Sequence, residues 1–216
     1  MWKTESGTVK NMKTQIASAR SGIITKAMRT VARNENISPE IICSETAKGR
    51  LVIPANKIHL KHNLKPIGIG RAVSIKVNAN IGTSSASSSI KNELVKLTAS
   101  IEAGADTVMD LSTGGNLDEI RTQLIDKCPV PFGTVPVYEM IINRNVEDIT
   151  PKIILETIEK QAKQGVDFFT IHAGVLKQYL PAAVKRVCGI VSRGGALIAK
   201  WMTYHNRQNP FYELYG

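Results

Sequence analysis

Thr107-Val108-Met109-Asp110-Leu111 is a short apolar run that passes through Ser112-Thr113-Gly114-Gly115-Asn116 into the amphipathic stretch Leu117–Lys127. The first segment has the length and β-branched character of a strand, the second is rich in turn formers, and the third has helical periodicity. The same unit recurs on both sides. Upstream, Ser74-Ile75-Lys76-Val77-Asn78-Ala79-Asn80 alternates like a strand and precedes a helix from a cap near Ser89 to about Ala103, stopped by Gly104. Downstream, Pro129–Val135 reads as a third strand, Pro151 to about Gln164 as a helix stopped by Gly165, and Asp167–His172 as a fourth strand. Arg186–Val191 reads as a short buried fifth strand, with a helix opening at Ala196-Leu197-Ile198-Ala199-Lys200-Trp201-Met202. Alternation of this kind is the signature of a parallel α/β fold.

Polar residues fall at the C-terminal ends of these strands: Asn78 and Asn80, Asp110, Thr134, His172, and Ser192 with Arg193. Barrels and doubly wound sheets both bind ligands at that end. No G-x-G-x-x-G turn is present, which favours barrel units over a doubly wound sheet. A complete barrel takes about 250 residues. The expected fold is therefore α/β: an incomplete (β/α)8 TIM-type barrel of about five units over residues 71–216, truncated at its C-terminus. An N-terminal helical or mixed subdomain over residues 1–70 precedes it. There, Ser18–Gly22 marks a break, Thr25 or a neighbour caps a helix, and Pro39 opens another that runs to about Lys48 and stops at Gly49. An open α/β domain remains the alternative to a truncated barrel.

Val191-Ser192-Arg193-Gly194-Gly195 joins the last apolar run to the last helix. A strand turning into a helix leaves backbone N–H groups free beside a partial positive charge, and Arg193 adds a full one, so the turn suits a phosphate. Two glycines that merely allow a tight turn would look the same.

The 216 residues are 43% hydrophobic and 21% charged, ordinary for a globular chain. The net charge of +10 favours an anionic partner, but the lysines are scattered and only 5% of residues are aromatic. A phosphorylated small molecule fits this pattern better than nucleic acid, for which no motif is present. Cys43, Cys128 and Cys188 lack C-x-x-C spacing, and His59, His62, His172 and His205 form no H-x-x-x-H pair, so no metal site is written by spacing. The first residues carry no apolar signal core, and no run of about 18 apolar residues occurs, which points to a soluble cytoplasmic protein without a membrane partner.

Several stretches together resemble the phosphomethylpyrimidine synthase (ThiC) family. They are Met12–Gln15, Gly22–Thr25, Ile53–Asn56, Ile69–Arg71, Val77–Gly82, Gly104–Gly114, Gly133–Tyr138, Gln164–Leu176 and Gly189–Gly195. The resemblance implies a radical S-adenosylmethionine enzyme on a (β/α)8 barrel. It would convert 5-aminoimidazole ribotide to hydroxymethylpyrimidine phosphate for thiamine biosynthesis and work as a homodimer. It implies S-adenosylmethionine, a [4Fe–4S] cluster and zinc as cofactors. It carries ribotide contacts over to Asn80, Met109, Tyr138, His172, Ser192, Arg193 and Gly194. Each is chemically apt: Asn80 both donates and accepts, Met109 offers a soft wall, Tyr138 a hydroxyl on a flat face, and His172 a proton near neutral pH. Each also has a plain structural alternative: Met109 as core, His172 as a hydrogen-bonded strand end, Tyr138 as packing. No catalytic residue is assigned.

The chain departs from the family at Thr83-Ser84, where Asn-Ser is usual, and in the serine-rich patch that follows to Ser89. The family's Asp-Gly-Leu-Arg and Glu-Gly-Pro-Gly-His segments, its metal-binding histidines and its cluster cysteines have no counterpart here. The expectation is thus an N-terminal portion, inactive by itself. A 5-hydroxybenzimidazole synthase paralogue using the same ribotide, and a non-catalytic ribotide-binding or assembly fragment, are the alternatives.

Overall fold

The computed structural model describes residues 14–84, 86 and 89–215. The helical expectation for residues 1–13 and part of the serine-rich patch lie outside them. The chain divides into two compact units. One holds the described residues up to Pro54 with Pro66–Ile75; the other holds Ala55–Lys65 and everything from Lys76.

The first unit is three helices and a small hairpin. Helices α1 (Gln15–Arg20), α2 (Lys26–Glu35) and α3 (Pro39–Ala47) each start on a hydroxyl cap: Thr14, Thr25 and Ser38 accept from the N–H of Ala17, Met28 and Ile41. Ser18 lies inside α1, so the break falls later, at Ser21-Gly22. Met28, Val31, Ile42 and Leu51 are buried. Strand β1 (Leu51–Val52) pairs antiparallel with β2 (Ile69–Gly70), a partner the sequence pattern did not reveal.

The second unit is built on a four-stranded parallel sheet: β3 (Asn78–Ile81), β4 (Thr107–Asp110), β5 (Phe132–Thr134) and β6 (Phe168–Phe169), each beside its sequence neighbour. Helices α4 (Ile90–Glu102), α5 (Leu117–Lys127) and α7 (Pro151–Gln164) follow β3, β4 and β5. Ser89, Asn116 and Thr150 cap them, and Gly165 ends α7 in the left-handed conformation at φ 113°. The short helices α6 (Pro136–Met140), α8 (Leu180–Val184) and α10 (Pro210–Glu213) and the longer α9 (Arg193–His205) complete the unit. The described strands form an open sheet with β3 and β6 at its edges, so closure into a barrel is not seen. No helix among the described residues is long and apolar enough to cross a membrane.

Two sequence expectations are corrected. Arg186–Val191 is not a fifth strand: it runs through turns, Gly189 sits at φ 54°, and Val187 and Val191 are 105% and 77% exposed. Apolar content alone mimicked a strand, but the run has no ladder partner and buries nothing. The last helix opens at Arg193 rather than Ala196, because Ser192 caps it by accepting from Gly195 N–H at 3.1 Å. Gly194 and Gly195 are therefore helical rather than a turn.

The pleat assigns the two faces of the sheet. Ile81, Val108 and Phe132 face outward into a core with Leu97 of α4 and Ile120 and Leu124 of α5. The other face carries Asn80, Met109, Gly133 and Phe168 in one continuous register. A second core gathers Val137 and Met140 of α6, Ile154 of α7 and Ile198, Trp201 and Met202 of α9. At the strand-start end, Asp167 ties the unit together. Its carboxylate accepts from Asn56 N–H at 2.6 Å, Phe132 N–H at 2.7 Å and His59 Nδ1 at 2.6 Å. His59 donates from its other nitrogen to the Cys128 carbonyl at 2.8 Å, and both side chains are fully buried.

Candidate functional site

Asn80 and Met109 stand side by side in the β3–β4 register, on the face away from α4 and α5. Asn80 is exposed, and its Oδ1 accepts from Asn78 Nδ2 at 2.8 Å. Asn78 in turn accepts from Thr107 Oγ1 at 2.8 Å, which fixes the amide row against β4. Met109 is half-buried, and its Sδ accepts from Thr170 Oγ1 at 3.0 Å. Next in the row, Gly133 has no side chain because the Phe168 ring occupies the place of its Cβ. The face is thus polar at the β3 edge and aromatic toward β6.

His172, Tyr138, Arg193 and Gly194 form a second group. His172 follows β6 and packs against the first turn of α9, where a Cβ on Gly194 would stand 2.7 Å from its Nδ1 and nearer still to Cε1 and Nε2. The close approach needs glycine there. Burial holds the His172 imidazole below its ordinary pKa, and its Nδ1 is buried without a hydrogen-bond partner. The neutral ring is the favoured form at pH 7. Tyr138 on α6 is half-buried with its ring face toward Arg193, whose Cζ lies 5.1 Å from the centroid. Ser192 and Arg193 are exposed. Ser192 spends its hydroxyl on capping Gly195, while the N–H groups of Arg193 and Gly194 have no intrahelical acceptor.

The two groups meet at Met109, which packs on the same core as Tyr138 and Ile171. No hydrogen bond links Asn80 to Tyr138, His172 or Arg193, so Asn80 is a separate wall. One buried carboxyl lies just behind Met109. Burial raises the Asp110 pKa against the hydrogen bonds it accepts from Ser112, one of them from Ser112 N–H at 2.9 Å.

Asn209 escaped the sequence reading. It is fully buried, and its Nδ2 donates to the carbonyls of His172 at 2.8 Å and Val175 at 2.9 Å while its Oδ1 accepts from Phe211 N–H. It clamps the loop that carries His172. Its visible signal was Asn209-Pro210, the pattern of a capped helix start with proline at the first position.

The chain is thus an α/β protein with polar groups gathered at its strand ends, beside a helix N-terminus bearing an arginine. Its sequence matches the model of the Radical SAM ThiC family over residues 14–216, and the chain belongs to that family. The family is one of radical S-adenosylmethionine enzymes in thiamine pyrimidine biosynthesis, and full-length members require S-adenosylmethionine and an iron–sulfur cluster.

The cysteines here do not fit such a cluster. Cys43 is buried and Cys188 exposed; Cys128 is buried, with its thiol pushed up to about 12 and its Sγ donating to the Val130 carbonyl at 3.1 Å. Among the described residues no three His, Cys, Asp or Glu side chains stand close enough together to hold a metal ion. A cluster needs closely spaced thiolates.

Proposed function

We propose that this chain is the ribotide-binding part of a phosphomethylpyrimidine synthase, the enzyme that rearranges 5-aminoimidazole ribotide into hydroxymethylpyrimidine phosphate. The observation that carries the reading is the first turn of α9. It sets Arg193 and two N–H groups without intrahelical acceptors beside His172 and over Tyr138. The phosphate sits on that turn, held by the Arg193 guanidinium and the N–H groups of Arg193 and Gly194. Tyr138 and Met109 wall the ring, and Asn80 orients ribose or imidazole polar atoms from the far side. Neutral His172 donates or accepts one hydrogen bond to the bound ribotide without adding charge.

Cluster ligation falls to residues outside these 216, because Cys43, Cys128 and Cys188 are not placed to share it. By itself the chain binds and orients but does not turn over. Calorimetric titration with 5-aminoimidazole ribotide tests the binding role. The ribotide should bind, the unphosphorylated riboside should bind at least about tenfold more weakly, and Arg193→Ala should remove most of that difference. Equal affinity for ribotide and riboside would refute the phosphate assignment. Product formed by the chain after reconstitution with iron, sulfide and S-adenosylmethionine would refute the inactivity.

A further inference from the structure

Behind Tyr138 lies a charge network that the ribotide reading does not use. Glu139, the next residue on α6, accepts from Arg121 Nη2 at 2.5 Å and from Gln161 Nε2 at 2.7 Å, and pairs with Lys160. Arg121 is 2% exposed, and its Nη1 reaches Asp118 at 3.3 Å and the Gln164 side chain. Gln161 extends the network to the sheet by accepting from Thr134 Oγ1 at 2.6 Å, at the end of β5. Two cations thus face two carboxylates across α5, α6 and α7, and the buried charges are balanced.

α6 cannot set its own orientation. It is five residues long and has no side-chain cap at its N-terminus. Its hold on the fold is apolar on one side, through Val137 and Met140, and ionic on the other, through Glu139. Tyr138 lies between these anchors with Arg193 over its ring.

We propose that Glu139, gripped by Arg121, is a positioning residue that holds Tyr138 under Arg193 and so presets the aromatic wall of the ligand site. The inference rests on reading Tyr138 and Arg193 as part of the ribotide site. A network that only stapled the three helices together would leave Tyr138 indifferent to the loss of the Glu139 side-chain oxygens. A positioning network moves it.

The test places fluorotyrosine at position 138 of the full chain and records its fluorine resonance in the wild type, Arg193→Ala, Glu139→Leu and Glu139→Gln. Arg193→Ala reports the resonance of a ring that has lost its cation. Glu139→Leu should move or broaden the signal and weaken ribotide binding about tenfold, the size of one lost polar or cation–π contact. Glu139→Gln keeps an oxygen for Arg121 and Gln161 and should restore both signal and affinity. If Glu139→Leu does not fold, Arg121→Met with Glu139→Leu removes both buried charges at similar volume and should fold with the resonance displaced. A folded Glu139→Leu variant, alone or with Arg121→Met, that keeps the wild-type resonance overturns the proposal. Should the wild type bind no ribotide while the resonance still moves, the positioning role stands and the ligand assignment falls.

Discussion

Replacing Gly194 by alanine sets two effects of opposite sign against each other. Gly194 is buried in the first turn of α9, and in a helix alanine gains up to about 1 kcal/mol over glycine. The new Cβ, however, would stand 2.7 Å from His172 Nδ1 and closer to the two neighbouring ring atoms. Asn209 holds the His172 backbone carbonyl at 2.8 Å, so relief of the contact falls to rotation of the imidazole or a shift of α9. Forcing a side chain into an occupied position costs about 1–3 kcal/mol, so the net change should be a loss of about 1 kcal/mol. In a His172→Ala background the obstruction is gone, and the same substitution should stabilise by up to about 1 kcal/mol. Urea unfolding of the four proteins, followed by far-ultraviolet circular dichroism, measures the cycle, whose coupling should be about 2 kcal/mol. Ribotide affinity should fall in Gly194→Ala, because the displaced imidazole no longer lies along the helix start. The same stability change in both backgrounds would refute the contact and the role of glycine built on it.

Three further outcomes follow from the buried groups. Asp167→Asn turns one carboxylate oxygen into an NH2 facing a backbone N–H donor and leaves buried His59 beside an uncharged partner, and should lower unfolding free energy by about 3–5 kcal/mol; a loss under about 1 kcal/mol in urea titration would refute the clamp. Burial raises the Asp110 pKa, so its contribution to stability is complete below about pH 4 and is lost as pH rises through the raised folded value. Asp110→Asn keeps an acceptor for Ser112 N–H and should be at least as stable as the wild type at neutral pH; a loss of more than about 1 kcal/mol there would contradict the assignment. An aromatic disulfide reagent should titrate Cys188 rapidly in the native protein but spare Cys43 and Cys128, the latter with its thiol pushed up to about 12; rapid reaction of a second thiol would show that the cores are open.

The elements with local causes were legible. Thr25 and Ser89 cap helices where the pattern places them, and Pro39 and Pro151 open helices capped by Ser38 and Thr150. Asn78, Val108, Phe132 and Phe168 lie in strands because alternating or continuous apolar runs mark the two faces of a sheet. What failed depended on distant partners. Arg186–Val191 has the composition of a strand but no neighbouring backbone to pair with, and Ile69-Gly70 is a strand only because Leu51-Val52 lies beside it. Asn209 reads locally as a helix cap, and its second role appears only when the fold brings the carbonyls of His172 and Val175 to its amide. Glu139 and Arg121 carry no local signal of their pairing, because no spacing shows that α7 seals Arg121 from water.

The distribution of satisfied and unsatisfied polar groups separates the two ends of the sheet. At the strand starts the Asp167 carboxylate and both His59 nitrogens are matched, and Asn56 donates its amide to the Ala162 and Val166 carbonyls. The buried side-chain atoms left without a partner among the described residues are Glu93 Oε2, Arg121 Nε, Glu147 Oε2 and His172 Nδ1. None belongs to the clamp. Glu93 and Arg121 lie in the opening turns of the helices that leave β3 and β4, and His172 lies just past β6, so these three are at the C-terminal ends of strands. An unmatched buried polar atom costs about 1–3 kcal/mol, and a chain selected for stability alone would distribute such costs without regard to the ends. Their concentration where Arg193 and the α9 N-terminus also stand is what the ribotide site proposed above would require, with the clamped end supplying the rigidity behind it.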